Sequence, residues 1–153
     1  MVQLLFALGL TCATVLIHAF GTWVAIVYFA RVLPHGKRKQ GILVTEIKVV
    51  RVVSVLLVLH FVEAGIWAVF YLISGDLPDL ETAIYFSMTS YTTLGYGDVV
   101  LPAPWRVLGP IEGAVGILMF GWSTAIIVAV ITRIHSNRLS QAEGNEVRPP
   151  TVE

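Results

Sequence analysis

The sequence predicts an all-α membrane protein with three transmembrane helices per chain and a short re-entrant segment between the second and third. Two observations lead to this prediction. Of the 153 residues, 56% are hydrophobic and only 13% are charged, whereas a soluble domain carries about 25% charged residues. In addition, residues 4–30, 49–73 and 107–132 are almost uncharged, and each stretch exceeds the roughly 20 residues that a helix needs to cross a hydrocarbon core.

The boundaries of the chain's parts follow from these stretches. We predict an N-terminal transmembrane helix at 1–33, a basic loop at 34–47, a central domain at 48–134 and a short polar tail at 135–153. The first stretch could instead be a cleaved signal peptide. Its start has no basic residue, however, and its apolar run is longer than the 7–15 residues of such a signal.

The segment between the second and third stretches is moderately apolar but rich in hydroxyl groups. Residues 80–94 are too short and too polar for a lipid-facing span, and non-helical backbone at membrane depth must be sheltered by protein or line water. Asp79 is suited to cap a helix at this point. The hydroxyl residues are Thr82, Ser87, Thr89, Ser90, Thr92 and Thr93.

Basic residues determine the predicted orientation. They lie in and next to the loop after the first stretch and in the tail after the third. Residues 74–106, in contrast, contain four acids and one arginine. By the positive-inside rule the N-terminus and the re-entrant segment lie outside and the C-terminus is cytoplasmic. Lys37, Arg38 and Lys39 either rest on anionic lipid headgroups or act as a solvated topology signal. With zero net charge, the chain has no basic field for nucleic acid.

Residues 92–98 read Thr-Thr-Leu-Gly-Tyr-Gly-Asp, a composition suited to binding a dehydrated cation. Such an ion needs several oxygens in place of its water, and consecutive backbone carbonyls can supply them if they turn to one side. Gly95 and Gly97 permit the unusual φ angles that this requires. The alternative interpretation is a simple tight turn at Gly-Tyr-Gly-Asp.

This heptapeptide resembles the selectivity filter of the potassium-channel superfamily, and the resemblance extends over residues 48–133. It implies an outer helix at 48–74, a pore helix at 79–91, the filter at 92–98 and an inner helix at 105–134. It also implies K⁺ binding by the carbonyls of Thr93, Leu94, Gly95 and Tyr96. Because one loop supplies only a quarter of an oxygen cage, a homotetramer is expected. Within this superfamily, the sequence resembles small bacterial channels, here with an extra N-terminal helix. The resemblance implies a location in a prokaryotic plasma membrane.

The third stretch would then line the pore. Ile117, Phe120, Thr124 and Val128 lie three or four residues apart and so share one helix face, which predicts the wall of a cavity. By resemblance, Gly116 occupies the position of a gating hinge. Close helix packing by small residues is the alternative. Pro104 suits the first turn of this helix, while Pro110, two turns in, would remove a backbone hydrogen bond.

One departure from the family's pattern concerns the support of the filter. In some bacterial relatives a glutamate on the pore helix pairs with the filter aspartate, and Thr89 occupies that position here. We therefore predict that Tyr85 is the partner of Asp98. Thr92 and Gly97 complete the predicted supporting residues.

Two acids lie inside the apolar stretches, where an unpaired carboxylate is costly. His60 and Glu63 share a helix face at a spacing of three, and His18 lies midway along the first stretch. We hypothesise a proton-sensitive contact between His60 and Glu63, with Glu112 a further candidate. The alternative is that each group is hydrogen-bonded to hydroxyls or backbone.

Together these features predict a potassium-selective channel subunit with passive permeation, gated by the inner helix. A potassium-transporter subunit and a non-conducting membrane adaptor are the alternatives. No nucleophile–base pair or phosphate loop indicates an enzyme, and the lack of a row of charges in the first stretch disfavours voltage sensing. The single Cys12 excludes an intrachain disulfide.

Overall fold

The computed structural model describes residues 2–32 and 42–146, and within these ranges it is built from α-helices with no strand. The helices are α1 (Val2–Val32), α2 (Ile42–Ile73), α3 (Leu80–Tyr91) and α4 (Leu108–Glu146). Three of them, α1, α2 and α4, contain segments long and apolar enough to cross a membrane. The predicted all-α fold with three spans is therefore confirmed. The basic cluster Lys37 to Lys39 lies outside the described residues.

The three long helices pack against one another, and the short α3 packs on α2 and α4. Buried aromatic side chains fill the centre of this packing, because large rings provide contact area that holds helices together where lipid removes the usual hydrophobic driving force. This core contains Trp67, Tyr71, Phe86, Tyr91, Leu108, Val115 and Met119. It places α3 in a notch between α2 and α4.

One stripe of α1 faces the rest of the chain. Its buried positions recur at steps of seven, four and three, which is the spacing of a single helix face: Ala7, Thr14, His18, Thr22, Ala25 and Phe29. Apolar side chains cover the other faces, as expected for a helix in contact with lipid. The helix α1 thus packs on α2 and α4 of the same chain.

The short helix α3 begins and ends at identifiable signals. Asp79 Oδ1 accepts a hydrogen bond from the Thr82 backbone N–H at 2.8 Å, so Asp79 is the N-cap. At its other end α3 lies against glycines of α4. A Cβ at Gly113 would lie 3.0 Å from the Ser90 carbonyl oxygen, so only a residue without a side chain fits comfortably at this contact.

The helix boundaries differ from the predicted ones at three places. First, α2 begins at Ile42, before the predicted residue 48. Second, α4 begins at Leu108 and not at 105, because residues 103–107 form a turn in which the Leu108 N–H bonds the Trp105 carbonyl at 2.9 Å. Third, α4 continues past residue 134 to Glu146.

These shifts change the position of both prolines. Pro104 lies in the turn before α4, not in its first turn. Pro110 is the third residue of α4, where an N–H would have no intrahelical partner in any case. The prediction that Pro110 removes a hydrogen bond two turns into the helix is therefore wrong.

Candidate ion-binding loop and its supports

The candidate filter loop, residues 92–98, follows directly from the C-terminal end of α3. Every second residue in it has a left-handed backbone: φ is +60° at Thr93, +52° at Gly95 and +79° at Gly97. In a regular strand successive carbonyls point to opposite sides, and reversing alternate residues permits them to share one side. At Thr93 this conformation costs about 1–2 kcal/mol because the residue has a Cβ. This backbone conformation is therefore unsuited to pairing as a regular strand.

Hydrogen bonds to α3 hold the inner part of the candidate filter loop. The Thr93 N–H donates to the Ser90 carbonyl at 2.9 Å, and the Gly95 N–H donates to the Thr89 carbonyl at 3.0 Å. Thr92 Oγ1 also donates to the Met88 carbonyl at 2.6 Å. The Thr89 and Ser90 carbonyls lie in the last turn of α3, where helix carbonyls lack an intrahelical partner, and the Met88 carbonyl also accepts the Thr92 N–H at 3.1 Å.

The outer end of the loop is held by Asp98. Tyr85 Oη donates to Asp98 Oδ2 at 2.6 Å, which is the contact that the sequence predicts. The hydroxyl of Thr89 instead donates to the Phe86 carbonyl at 3.0 Å. The Tyr85 hydrogen bond lowers the pKa of Asp98, and the same bond raises the pKa of Tyr85.

Replacing Tyr85 by phenylalanine is expected to weaken this support at neutral pH. Asp98 has a depressed pKa in the folded chain, so its contribution to stability is present at neutral pH and is lost as the pH falls through that value. In Tyr85→Phe the pKa returns toward its ordinary value and this contribution disappears. The melting temperature of the variant should therefore lie below that of the wild type at neutral pH, and the difference should shrink as the pH falls through the folded pKa of Asp98. Tyr28→Phe, which removes an exposed hydroxyl from α1, is the control and should show no such pH-dependent difference.

A buried polar network lies behind the inner end of the loop. Glu63 is fully buried. Its Oε1 lies 2.8 Å from His18 Nδ1, its Oε2 accepts a hydrogen bond from Tyr91 Oη, and His60 Nδ1 lies 3.4 Å from Oε2. The hypothesised contact between His60 and Glu63 is thus present, but it is the longest of the three. Sequence reasoning gave His18 no role; its position on the buried stripe of α1 is the signal that reveals one.

Ser123 of α4 contacts both histidines, so residues of all four helices take part in the network. Ser123 Oγ lies 3.0 Å from His60 Nε2 and 3.4 Å from His18 Nε2. The donor atoms of His18, His60 and Glu63 lie within 4.8 Å of one another, a spacing that a metal ion could also use. Each of them, however, already has a hydrogen-bonding partner in the set, and we interpret the group as a hydrogen-bonded network.

A second buried acid supports the middle of α3. Glu112 of α4 accepts hydrogen bonds from the hydroxyls of Tyr71 on α2, at 2.7 Å, and Ser87 on α3. Ser87 Oγ also lies 2.6 Å from the Ala64 carbonyl. Glu112 therefore matches the alternative from the sequence, a carboxylate bound to hydroxyls, and it joins α2, α3 and α4.

Comparison with known protein families identifies the chain. A protein-family model described as "Ion channel" matches residues 55–133, more than half of the sequence. The chain belongs to this ion channel family. The match covers most of α2, all of α3, the candidate filter loop and the membrane-spanning part of α4, and it supports the resemblance to the pore-loop potassium channel superfamily. No curated protein and no solved structure matches the chain.

In this ion channel chain, the four predicted cavity residues do not share one environment. Ile117, Thr124 and Val128 are exposed on α4. Phe120 is half-buried, with its ring centroid 4.3 Å from that of His60 and 5.6 Å from that of Tyr91. Phe120 therefore packs within the chain, against His60 and Tyr91.

Gly116 lies where α4 of the channel chain passes closest to α3. A Cβ at this position would lie 2.9 Å from the carbonyl carbon of Tyr91 and nearer still to its oxygen. The helix is continuous through Gly116. Close packing, the alternative from the sequence, thus accounts for a glycine here, and a hinge at the same residue stays a prediction.

Proposed function

We propose that the protein is the subunit of a potassium-selective channel, in which four copies surround a central axis. The observation that supports this most strongly is the candidate filter loop itself, a Thr-Thr-Leu-Gly-Tyr-Gly-Asp sequence with left-handed backbone at alternate residues. A single chain leaves this loop open. Leu94 is 56% and Tyr96 is 67% exposed, as expected for residues that other copies cover.

Permeation would follow from the oxygens of this loop. The carbonyls of Thr93, Leu94, Gly95 and Tyr96, together with the Thr93 hydroxyl, would replace the hydration shell of a K⁺ ion at successive sites. The end of α3 carries about half a negative charge and favours a cation beyond it. Asp98 adds a carboxylate at the other end of the loop. Binding at several weak sites allows the ion to leave as well as to enter.

The membrane arrangement belongs to the same proposal. The N-terminus and the candidate filter loop would lie outside, and the C-terminal end of α4 would lie in the cytoplasm of a prokaryotic cell. The cluster Lys37, Arg38 and Lys39 would contact anionic headgroups on the cytoplasmic side. The inner helix α4 would line the pore with Ile117, Thr124 and Val128 and would open at or below Gly116.

The two alternatives predict different behaviour. A potassium-transporter subunit resembles this fold but carries four non-identical loops in one chain, whereas this chain has a single loop with a complete filter sequence. A non-conducting adaptor would carry no flux. Flux through purified protein therefore separates the adaptor from the channel.

Purified chain reconstituted in liposomes tests the proposal. Under equal gradients, K⁺ flux should exceed Na⁺ flux by at least about a hundredfold, equivalent to roughly 2.7 kcal/mol of discrimination. Equal fluxes of the two ions would contradict selectivity, and the absence of flux would favour the adaptor. Liposomes without protein supply the baseline.

We also propose that the Glu63 network makes opening sensitive to protons. Glu63 is faced by His18 from α1, His60 from α2 and Tyr91 from α3, while α4 contributes the uncharged Ser123. Glu63→Gln removes the anion that a protonated imidazole would pair with. We expect the pH dependence of open probability to flatten in this variant. An unchanged profile in Glu63→Gln would remove the hypothesis, and Glu112→Gln tests the second acid in the same way.

A further inference from the structure

The helix α1 lies outside the range that the ion channel family model matches, yet its buried stripe reaches the base of the candidate filter loop. The contact passes through one carboxylate. Glu63 Oε1 accepts from His18 on α1, and Glu63 Oε2 accepts from Tyr91. Tyr91 is the last residue of α3, and the loop begins at the next residue.

The two oxygens of the Glu63 carboxylate bind different helices, so a change on one side affects the other. Each carboxylate oxygen has a close donor: His18 Nδ1–H on one side and the Tyr91 hydroxyl on the other. Ser123 has one hydroxyl hydrogen and stands between the Nε2 atoms of both imidazoles. Tyr91 Oη also lies 3.2 Å from His60 Nδ1, so each of these polar atoms has a partner within the set.

Removing the His18 imidazole would leave Glu63 Oε1 without its close donor in an apolar interior. A carboxylate in that position takes up a proton or turns toward another donor, because an unpaired buried charge is strongly unfavourable. Either change weakens Glu63 as the acceptor for Tyr91. The end of α3, and the loop bonded to it through Thr93 and Gly95, would then lose their anchor.

We propose that His18 is a positioning residue for the candidate filter loop, and that α1, acting through Glu63 and Tyr91, fixes the loop's inner end. This role goes beyond packing of α1 against the pore domain. It rests on the proposed function for its selectivity readout, whereas the order of the loop can be measured whether or not the protein conducts K⁺.

A matched control lies one turn away on the same stripe. Thr14 Oγ1 accepts a hydrogen bond from Trp67 Nε1 at 2.9 Å, so it also joins α1 to α2 by one buried side-chain bond. This bond does not lead to Tyr91. Thr14→Val therefore costs one bond between the same two helices without touching Glu63.

Hydrogen exchange of the full-length protein, measured by mass spectrometry on peptides that cover residues 92–98, tests the proposal. The Thr93 and Gly95 amides are hydrogen-bonded to α3 and report how firmly the loop is held. In His18→Phe their exchange should accelerate by about tenfold, as expected when a charge-assisted hydrogen bond is lost. In Thr14→Val it should change by less than about twofold. In His18→Asn, whose amide lies near the place of Nδ1, most of the protection should return.

Two results would overturn the proposal: equal acceleration in His18→Phe and Thr14→Val, or none in His18→Phe. If His18→Phe fails to fold, Tyr91→Phe cuts the same path from the other side of Glu63. It should accelerate exchange as strongly, while Thr14→Val leaves exchange nearly unchanged. Wild-type exchange in Tyr91→Phe would contradict the proposed path.

The permeability ratio of K⁺ to Na⁺, taken from reversal potentials, supplies the second readout. It should fall in His18→Phe and stay at the wild-type value in Thr14→Val. A wild-type protein that does not select K⁺ would contradict the proposed function, and the exchange measurement would still decide the role of His18. A selective wild type with unchanged exchange and ratio in His18→Phe would contradict the role of His18 alone.

Discussion

Replacing Gly116 by alanine is expected to destabilise the folded chain by at least about 3 kcal/mol, the upper part of the range for overpacking. The added methyl group would overlap the backbone carbonyl of Tyr91, and a backbone atom cannot rotate away as a side chain can. The end of α3 would have to separate from α4. Melting temperature and yield of the purified protein measure the loss.

Gly121→Ala is the matched control for this substitution. Gly121 lies on the same helix, and a Cβ there meets no atom within 4 Å. Alanine is also a better helix former by about 1 kcal/mol, so this variant should be as stable as the wild type or slightly more so. If Gly116→Ala keeps wild-type stability but opens differently, the hinge accounts for Gly116 and the packing interpretation is wrong.

Replacing Gly95 by alanine is expected to reduce K⁺ flux in liposomes by at least about tenfold, equivalent to 1.4 kcal/mol. Gly95 has φ of +52°, a conformation that costs a residue with a Cβ about 1–2 kcal/mol. Relief of that strain would turn a carbonyl out of the proposed ion cage. The damage to conduction should exceed the damage to stability, because the exposed loop contributes little to packing.

The control for this variant is Gly75→Ala, which introduces the same kind of backbone strain outside the candidate filter loop. Gly75 follows α2 with φ of +75°, and a Cβ there also meets no atom within 4 Å. Gly75→Ala should lose a similar free energy of folding and keep its K⁺ flux. Wild-type flux in Gly95→Ala would show that residues 92–98 are not the filter.

Most of the fold could be predicted from the sequence because its signals are local. The three spans follow from apolar length, and α3 follows from Asp79, which forms the expected cap. The contact between Tyr85 and Asp98 could be predicted by resemblance. Thr89 stands where some relatives carry the glutamate that pairs with the filter aspartate, so Asp98 needs another partner, and the Tyr85 hydroxyl lies within reach.

The features that the sequence did not reveal depend on how helices register against one another. The other faces of α1 are apolar too, so periodicity does not show which residue of α2 is contacted by the stripe that carries His18. For the same reason the spacing that puts Phe120 on the predicted cavity face does not show that its ring also packs against His60. The start of α4 differs from the predicted one because the turn at 103–107 depends on two backbone hydrogen bonds and not on a hydrophobic pattern.

The most direct test of the potassium channel proposal is an electron cryo-microscopy map of the purified protein in K⁺. We predict four chains around one axis, with ion density on the axis between the carbonyls of Thr93, Leu94, Gly95 and Tyr96. The same preparation in Na⁺ should show weaker or rearranged density there. An assembly without fourfold symmetry, or one in which these residues face away from the axis, would contradict the proposal.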